Sequence, residues 1–215
     1  MTDHTSITPT TSTPISTGTP PAALPAVPTS IGGRAVVPDG WHLVWDHAAR
    51  RSGEPVRVLR WQPTTDRELG VEAVTAVVAA RGGRLLSIRR FIGEVTGDLP
   101  SPARAEQIAM DVFTELDPRY ARLLTPLRVD TQGRRWRTAD GHDVDITVRW
   151  AKHAHPNGTY NWVTVGPGGS IIEVERESHW DYEAGRRATE QWDHDGWIAA
   201  REGTGPQLPG PDAVA

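Results

Sequence analysis

Apolar positions along this chain repeat with a period of two in some stretches and near 3.6 in others, and the two rhythms divide it. After Gly40, Trp41, Leu43 and Trp45 alternate with His42, Val44 and Asp46, as on a half-buried strand. A second run, "PVRVLRWQ", follows "AARRSGE", so the two are predicted to pair as a hairpin. Thr65 with Glu68 fits a capping box, and Val71, Val74 and Val78 fall at helical spacing before Gly82 and Gly83, which predicts a helix there. "RLLSIRRFIGEV" fits either element; paired Arg89 and Arg90 inside an apolar pattern favour an edge strand. Ser101-Pro102 opens a second helix, with Ala105, Ile108, Val112 and Leu116 on one face and Asp117-Pro118 ending it. A short helical turn through "RYARLL" follows.

From Leu127 onward the period is two. An Asp140-Gly141 turn signal separates two strands, and Val144, Ile146, Val148 and Trp150 share one face, read as inward. "TYNWVTV" and "IIEVERE" continue the meander, and a terminal helix is predicted from about Tyr182 to Ala200. The expected fold is therefore α+β: an antiparallel β-meander packed against two or three helices. Residues 34–200 would form the single domain.

Composition adds the tails. Residues 1–33 hold nine Thr, four Ser and six Pro without an aromatic residue, Lys or Arg, too little apolar surface to offset conformational entropy. This segment and the C-terminal 201–215, "EGTGPQLPGPDAVA" with the residue before it, are expected to be disordered. The start has neither a basic flank nor a hydrophobic stretch, and no apolar run approaches the roughly 18 residues of a membrane span. A cytoplasmic protein without a membrane partner is the expectation. The absence of cysteine removes disulfides, thiolate zinc sites and cysteine nucleophiles.

Charge is uneven. Arginine outnumbers lysine 22 to 1, a skew that a high-GC genome explains. From Arg50 to Arg137 there are 16 Arg against 11 acids; from Asp140 to Asp195 there are 5 basic residues against 11 acids and five of the eight histidines.

Candidate chemistry gathers in that second stretch. In "KHAHPNGTYNW", His153 and His155 stand at i and i+2 on a strand, opposite in parity to Trp150, and a His-x-His pair can share a metal. His179 and Asp181 are the nearest candidates to complete a zinc or manganese set. No diagnostic spacing joins the four, so the first reading is of solvated hairpin residues and no cofactor. The hairpin turn has two registers, a two-residue Asn157-Gly158 turn or a Pro156-Asn157 turn closed by Gly158. Asp181, Glu183, Glu190, Asp193, His194 and Asp195 form an acidic cluster that reads as the start and solvated face of the terminal helix, with Trp192 and Trp197 packing inward.

Two arginine clusters, Arg81, Arg84, Arg89 and Arg90 and then Arg134, Arg135 and Arg137, could meet phosphates of a nucleic acid. Nine tryptophans supply core bulk in a chain with two Phe and three Tyr. No P-loop, dinucleotide fingerprint or nucleophile elbow is present. The function expected is a non-enzymatic module that engages a protein partner. The alternatives are a metal-dependent hydrolase or nuclease using His153, His155, His179 and Asp181, and a nucleic-acid-binding accessory protein.

Overall fold

The computed structural model describes residues 27–215 apart from Glu94. Its centre is one eight-stranded antiparallel sheet, and this overturns the expected α+β architecture of a meander packed against two or three helices. A short hairpin, β1 (Ser30–Ile31) and β2 (Arg34–Ala35), precedes it. The sheet is made of β3 (His42–Arg51), β4 (Glu54–Gln62), β5 (Ala73–Ala79), β6 (Leu85–Phe91), β7 (Thr125–Arg137), β8 (Asp143–Ala154), β9 (Tyr160–Val165) and β10 (Ile171–Ser178). Helices α1 (Pro102–Leu116) and α2 (Pro118–Ala121) lie between β6 and β7. After β10 come a small hairpin, β11 (Trp180–Asp181) and β12 (Arg186–Arg187), and α3 (Asp195–Arg201). The spatial order β3-β4-β5-β6-β10-β9-β8-β7 describes two four-stranded meanders. The second begins at the far edge and works back until β10 pairs with β6.

The main correction concerns residues 71–79. The spacing of Val71, Val74 and Val78 suits a helix, but "AVTAVVA" is β5, with all seven residues buried. A central strand covered on both faces needs apolar or small residues at every position, so it shows no alternation, and β-branched Val and Thr favour it. Gly82 and Gly83, at φ of 77° and 64°, turn the β5–β6 hairpin instead of stopping a helix. β6 is likewise central, not an edge. Its two arginines point to opposite faces: Arg90 donates to the carbonyls of Val36, Ile171 and Ala35, while Arg89 turns to the other side.

Both faces of the sheet are covered. On one, Ala105, Ala109, Val112 and Phe113 of α1 pack on Val74, Ile88, Ala151 and Val163. Ser101 caps α1 by accepting from the Arg104 amide, and the Asp117 amide closes the helix on the Phe113 carbonyl. On the other face, the C-terminal segment covers Val56, Val58, Val77 and Leu86 with Trp192, Trp197, Ile198 and Ala213. The C-terminal tail expected to be disordered is therefore part of the fold. The Trp197 indole donates to the Val214 carbonyl and the Ala213 amide to Gln191. Of the segment read as a disordered N-terminal tail, residues 1–26 lie outside the described residues, and Ile31 is fully buried in the α1-side core. The terminal helix is shorter than expected, because residues 182–194 form turns and β12.

The sheet curls. Flat, β7 would stand three strand spacings from β10, roughly 14 Å. Yet Arg134 of β7 reaches Glu173 of β10, with Nη2 at 2.8 Å from Oε2. The end of β7 also closes on the start of β5 through a Val71–Arg137 bridge, and Trp136 stacks on Phe91 at 4.8 Å between ring centroids. β7 to β10 thus form a half-barrel beside β6, with its hollow on the face that carries the C-terminal segment.

The face covered by α1 also corrects the expectation that His153 and His155 point to solvent. Their parity is opposite to Trp150, as the sequence implies, but α1 lies over that face. His153 is fully buried: Nε2 is 2.8 Å from Glu106 Oε1, and its ring meets Phe113 edge-on. His155 stacks on Tyr120 at 4.3 Å. The turn beyond is the three-residue one, with Gly158 at φ 85° and the His155 amide bonded to the Thr159 carbonyl. His153→Ala is predicted to cost about 2 kcal/mol or more in urea melts, because it leaves a cavity and strips Glu106 of its partner. His155→Ala, at a half-exposed site, should cost clearly less; equal losses would contradict this packing.

Candidate functional site

The hollow of the half-barrel is a cavity of about 730 Å³ between β6–β10 and the segment after β10. That volume is in the range of small-molecule sites. Alternation along β7, β8 and β9 supplies its inner surface: Arg128, Gln132 and Arg134, then Trp150 and Lys152, then Tyr160 and Trp162. Trp150 is therefore a half-buried cavity wall instead of a core residue. From the other side come Trp180, Tyr182, Arg187, Gln191, His194 and Asp212.

Glu173 is the fixed charge at the bottom. Its carboxylate takes a bidentate pair from Arg134, with Nε at 3.0 Å from Oε1 and Nη2 at 2.8 Å from Oε2. Arg89 Nη2 lies 3.1 Å from Oε1, and the Thr164 hydroxyl donates to Oε2 at 2.7 Å. Burial alone would push this carboxyl up, but the charges of Arg89 and Arg134 with the two side-chain hydrogen bonds outweigh it and hold the pKa at about 2. Glu175, two residues on, binds Arg51 and Arg187 through one oxygen, at 2.5 Å each. Burial raises its pKa above the ordinary value and lowers that of Arg187.

His194 is placed by its neighbours in sequence. Asp195 accepts from Arg60 at 2.7 and 3.0 Å and from the Gly70 amide, which pins the start of α3 to β4. Gln191 is oriented by two bonds, its Nε2 donating to Asp212 Oδ1 at 2.9 Å and its Oε1 accepting from the Ala213 amide at 2.6 Å. The His194 ring therefore faces N–H groups on both sides, Arg89 at Nε2 and Gln191 Nε2 at Nδ1. Burial, then Arg89, Arg187 and Arg134, hold its pKa well below the ordinary histidine value. A neutral imidazole has one lone pair for two donors, so one contact sets donor against donor.

Aromatic rings also face the cations of the wall, of which Arg128 pairs with Asp130 and Arg187 with Glu175. Arg128 and Lys152 lie over Trp150 at 5.5 and 5.4 Å, and Lys152 Nζ stands 3.8 Å from the Tyr160 ring centroid. Arg187 lies over Trp162 at 5.4 Å. Lys152 has no carboxylate within 4.0 Å among the described residues. Burial, then Arg128, lower its pKa below the usual lysine value.

The residues singled out in the sequence distribute as follows. His153 and His155 sit under α1 and against Tyr120; His179 is exposed, its amide bonded to Thr189; Asp181 caps a turn by accepting from the amides of Glu183 and Ala184. Among the described residues no three of His, Cys, Asp and Glu are grouped so as to hold a metal ion. Of the arginine clusters only Arg89 and Arg134 meet, in the cavity. Arg81 is exposed, Arg84 pairs with Glu54 and Glu177, Arg90 serves the opposite face, and Arg135 and Arg137 pair with Asp145 and Asp143. The sequence reading missed Lys152, Glu173, Trp162 and Trp180. The alternating polar residues of β7 and β8 were the only signal for that face.

No helix among the described residues is long and apolar enough to cross a membrane. Comparison with known proteins finds no matching family model, no curated protein of similar sequence and no similar solved structure.

Glu173 titrates near 4.5 when unfolded and at about 2 when folded. Its contribution is thus present above pH 4.5 and lost as pH falls through about 2. A shift of that size corresponds to about 3 kcal/mol. Glu173→Gln should lose about that much stability at pH 7 in urea melts, with the difference shrinking toward pH 2. A difference that stays constant with pH would remove the ionic bridge as its source. His194 adds to acid sensitivity: the unfolded ring takes a proton below about pH 6.5 that the folded ring refuses.

Proposed function

We propose that the chain is a non-enzymatic binding module whose cavity takes a small ligand with an anionic group on a flat, unsaturated body. The observation that carries this reading is a surplus of donors facing one hollow. Five cationic side chains, Arg89, Arg128, Arg134, Lys152 and Arg187, line it against two carboxylates, Glu173 and Asp212. Glu173 is already saturated by three donor side chains. With the row behind included, Arg51 on one side and Asp130, Glu175 and Asp193 on the other, six cations still face five carboxylates. An anion beside Arg89 would relieve the donor conflict at His194 by accepting one of its N–H neighbours. Trp150, Trp162 and Trp180 offer π-faces for a flat body.

The expectation of a non-enzymatic module is kept, but a small ligand in a concave site takes the place of the protein partner expected from the sequence. It is favoured over nucleic-acid binding because the remaining clustered arginines point away from the cavity or pair with carboxylates.

Tryptophan fluorescence tests it. Pyridoxine 5′-phosphate, adenosine monophosphate and benzoate are titrated in parallel with pyridoxine, adenosine and benzyl alcohol. At least one anion should give saturable quenching, at least about tenfold tighter than its neutral counterpart, as expected for a charge-assisted hydrogen bond worth about 1.5–3 kcal/mol. Lys152→Gln should weaken that binding about tenfold. If no anion saturates, or the neutral compounds bind equally well, the proposal falls.

A further inference from the structure

Of the 23 Lys and Arg residues in this chain, 22 are arginine, and the one lysine, Lys152, lies in the cavity. The genome bias that accounts for the arginines has left this one position a lysine. Lys152 therefore marks a position where an ammonium differs from a guanidinium in a way that matters. Stacking on a ring is not that difference: Arg128 lies over the same Trp150 at 5.5 Å, and against the 3.8 Å of Lys152 from Tyr160 stand guanidiniums at 4.2 Å over Trp45 (Arg67) and 4.5 Å over Tyr120 (Arg176). Pairing with a carboxylate is not it either, because Nζ has none within 4.0 Å among the described residues. What remains is chemistry: a lysine can lose its proton and act as a nucleophile, whereas an arginine stays protonated.

We propose that Lys152 captures a carbonyl compound as an imine, so that the ligand class is an aldehyde or ketone carrying an anionic group and a flat body. The proposal rests on the reading of the cavity as an anion site. Nζ gives one proton to solvent, and its lone pair attacks the carbonyl carbon. The two remaining N–H protons leave with the carbonyl oxygen as water, and a C=N bond forms. Burial and the neighbouring Arg128 both favour the neutral amine, the two devices by which a lysine is made nucleophilic. Protonated, the imine keeps a positive charge over Tyr160 and Trp150, where the ammonium now sits. The anionic group then falls to the Arg89 and Arg134 side of the same cavity.

A single lysine makes the test clean, because the full chain carries one side-chain amine besides its terminal one. The protein is incubated with pyridoxal 5′-phosphate as probe and cyanoborohydride as trap, then followed by intact mass and peptide mapping. One adduct is expected on Lys152, forming at least about tenfold faster than on the same chain in urea and faster than with uncharged pyridoxal. Lys152→Arg should abolish it. Capture no faster than in the denatured chain, labelling confined to the terminal amine, or equal rates for the two aldehydes would overturn the proposal. Pyridoxine 5′-phosphate, which has no carbonyl, separates the two claims. If it quenches saturably while no Lys152 adduct forms, the imine is wrong and the anion site stands. If no anion of the panel binds, the anion site fails and this capture fails with it.

Discussion

The carboxylate of Glu173 joins parts of the sheet that strand pairing alone would leave apart. Buried ions are costly to desolvate, and such a group is stable only when its oxygens are saturated by well-aligned donors. Here Arg134 from β7, Arg89 from β6 and Thr164 from β9 converge on it. Because Arg134 belongs to the strand three places away, satisfying this charge requires the sheet to curl. The Trp136–Phe91 stack and the Val71–Arg137 bridge close the same curvature beside it, at the C-terminal end of β7. The cavity is the space that this closure encloses.

The chemistry of the cavity follows from what the bridge leaves over. Arg89 and Arg134 are engaged by Glu173 but keep further N–H groups, and Arg89 spends one on His194. Burial, and then their field with that of Arg187, keeps His194 neutral and so removes one potential cation without supplying an acceptor for both its neighbours. Lys152 sits against rings instead of a carboxylate. The result is a pocket rich in donors in a chain whose net charge is −4. Local arrangement, not overall charge, sets what such a site attracts.

How much of this could be read from residues alone varies by element. α1 was legible because its cap, its Pro at the first turn and its terminal Asp-Pro are local signals. The hairpins of β7 to β10 were legible from period two and turn residues. β5 was not: buried on both faces, it lacks alternation, and its valines mimic helical spacing. Parity correctly set His153 against Trp150, yet parity cannot say that both faces are covered, and the burial of His153 depends on an α1 residue 47 positions away. The order of the C-terminal residues has the same origin, in Trp197 and Gln191 meeting Val214 and Ala213. Arg134 and Glu173, 39 residues apart, carry no mutual signal in the sequence, and so neither did the cavity. Lys152 was hidden by a skew that reads as codon usage, and only its position among Trp150, Tyr160 and Arg128 gives its singularity a chemical sense.

The central claim is that this cavity is a receptor for an anion, and Lys152 reports on it directly. As the chain's one lysine it gives a single ¹³Cε signal in lysine-labelled protein, whose pH titration can be followed by NMR with and without saturating inorganic phosphate. The account predicts a midpoint below the ordinary lysine value of about 10.4 in the free protein, rising when the anion is bound, because a nearby negative charge favours the ammonium. A midpoint at the ordinary value that phosphate leaves unmoved would contradict it.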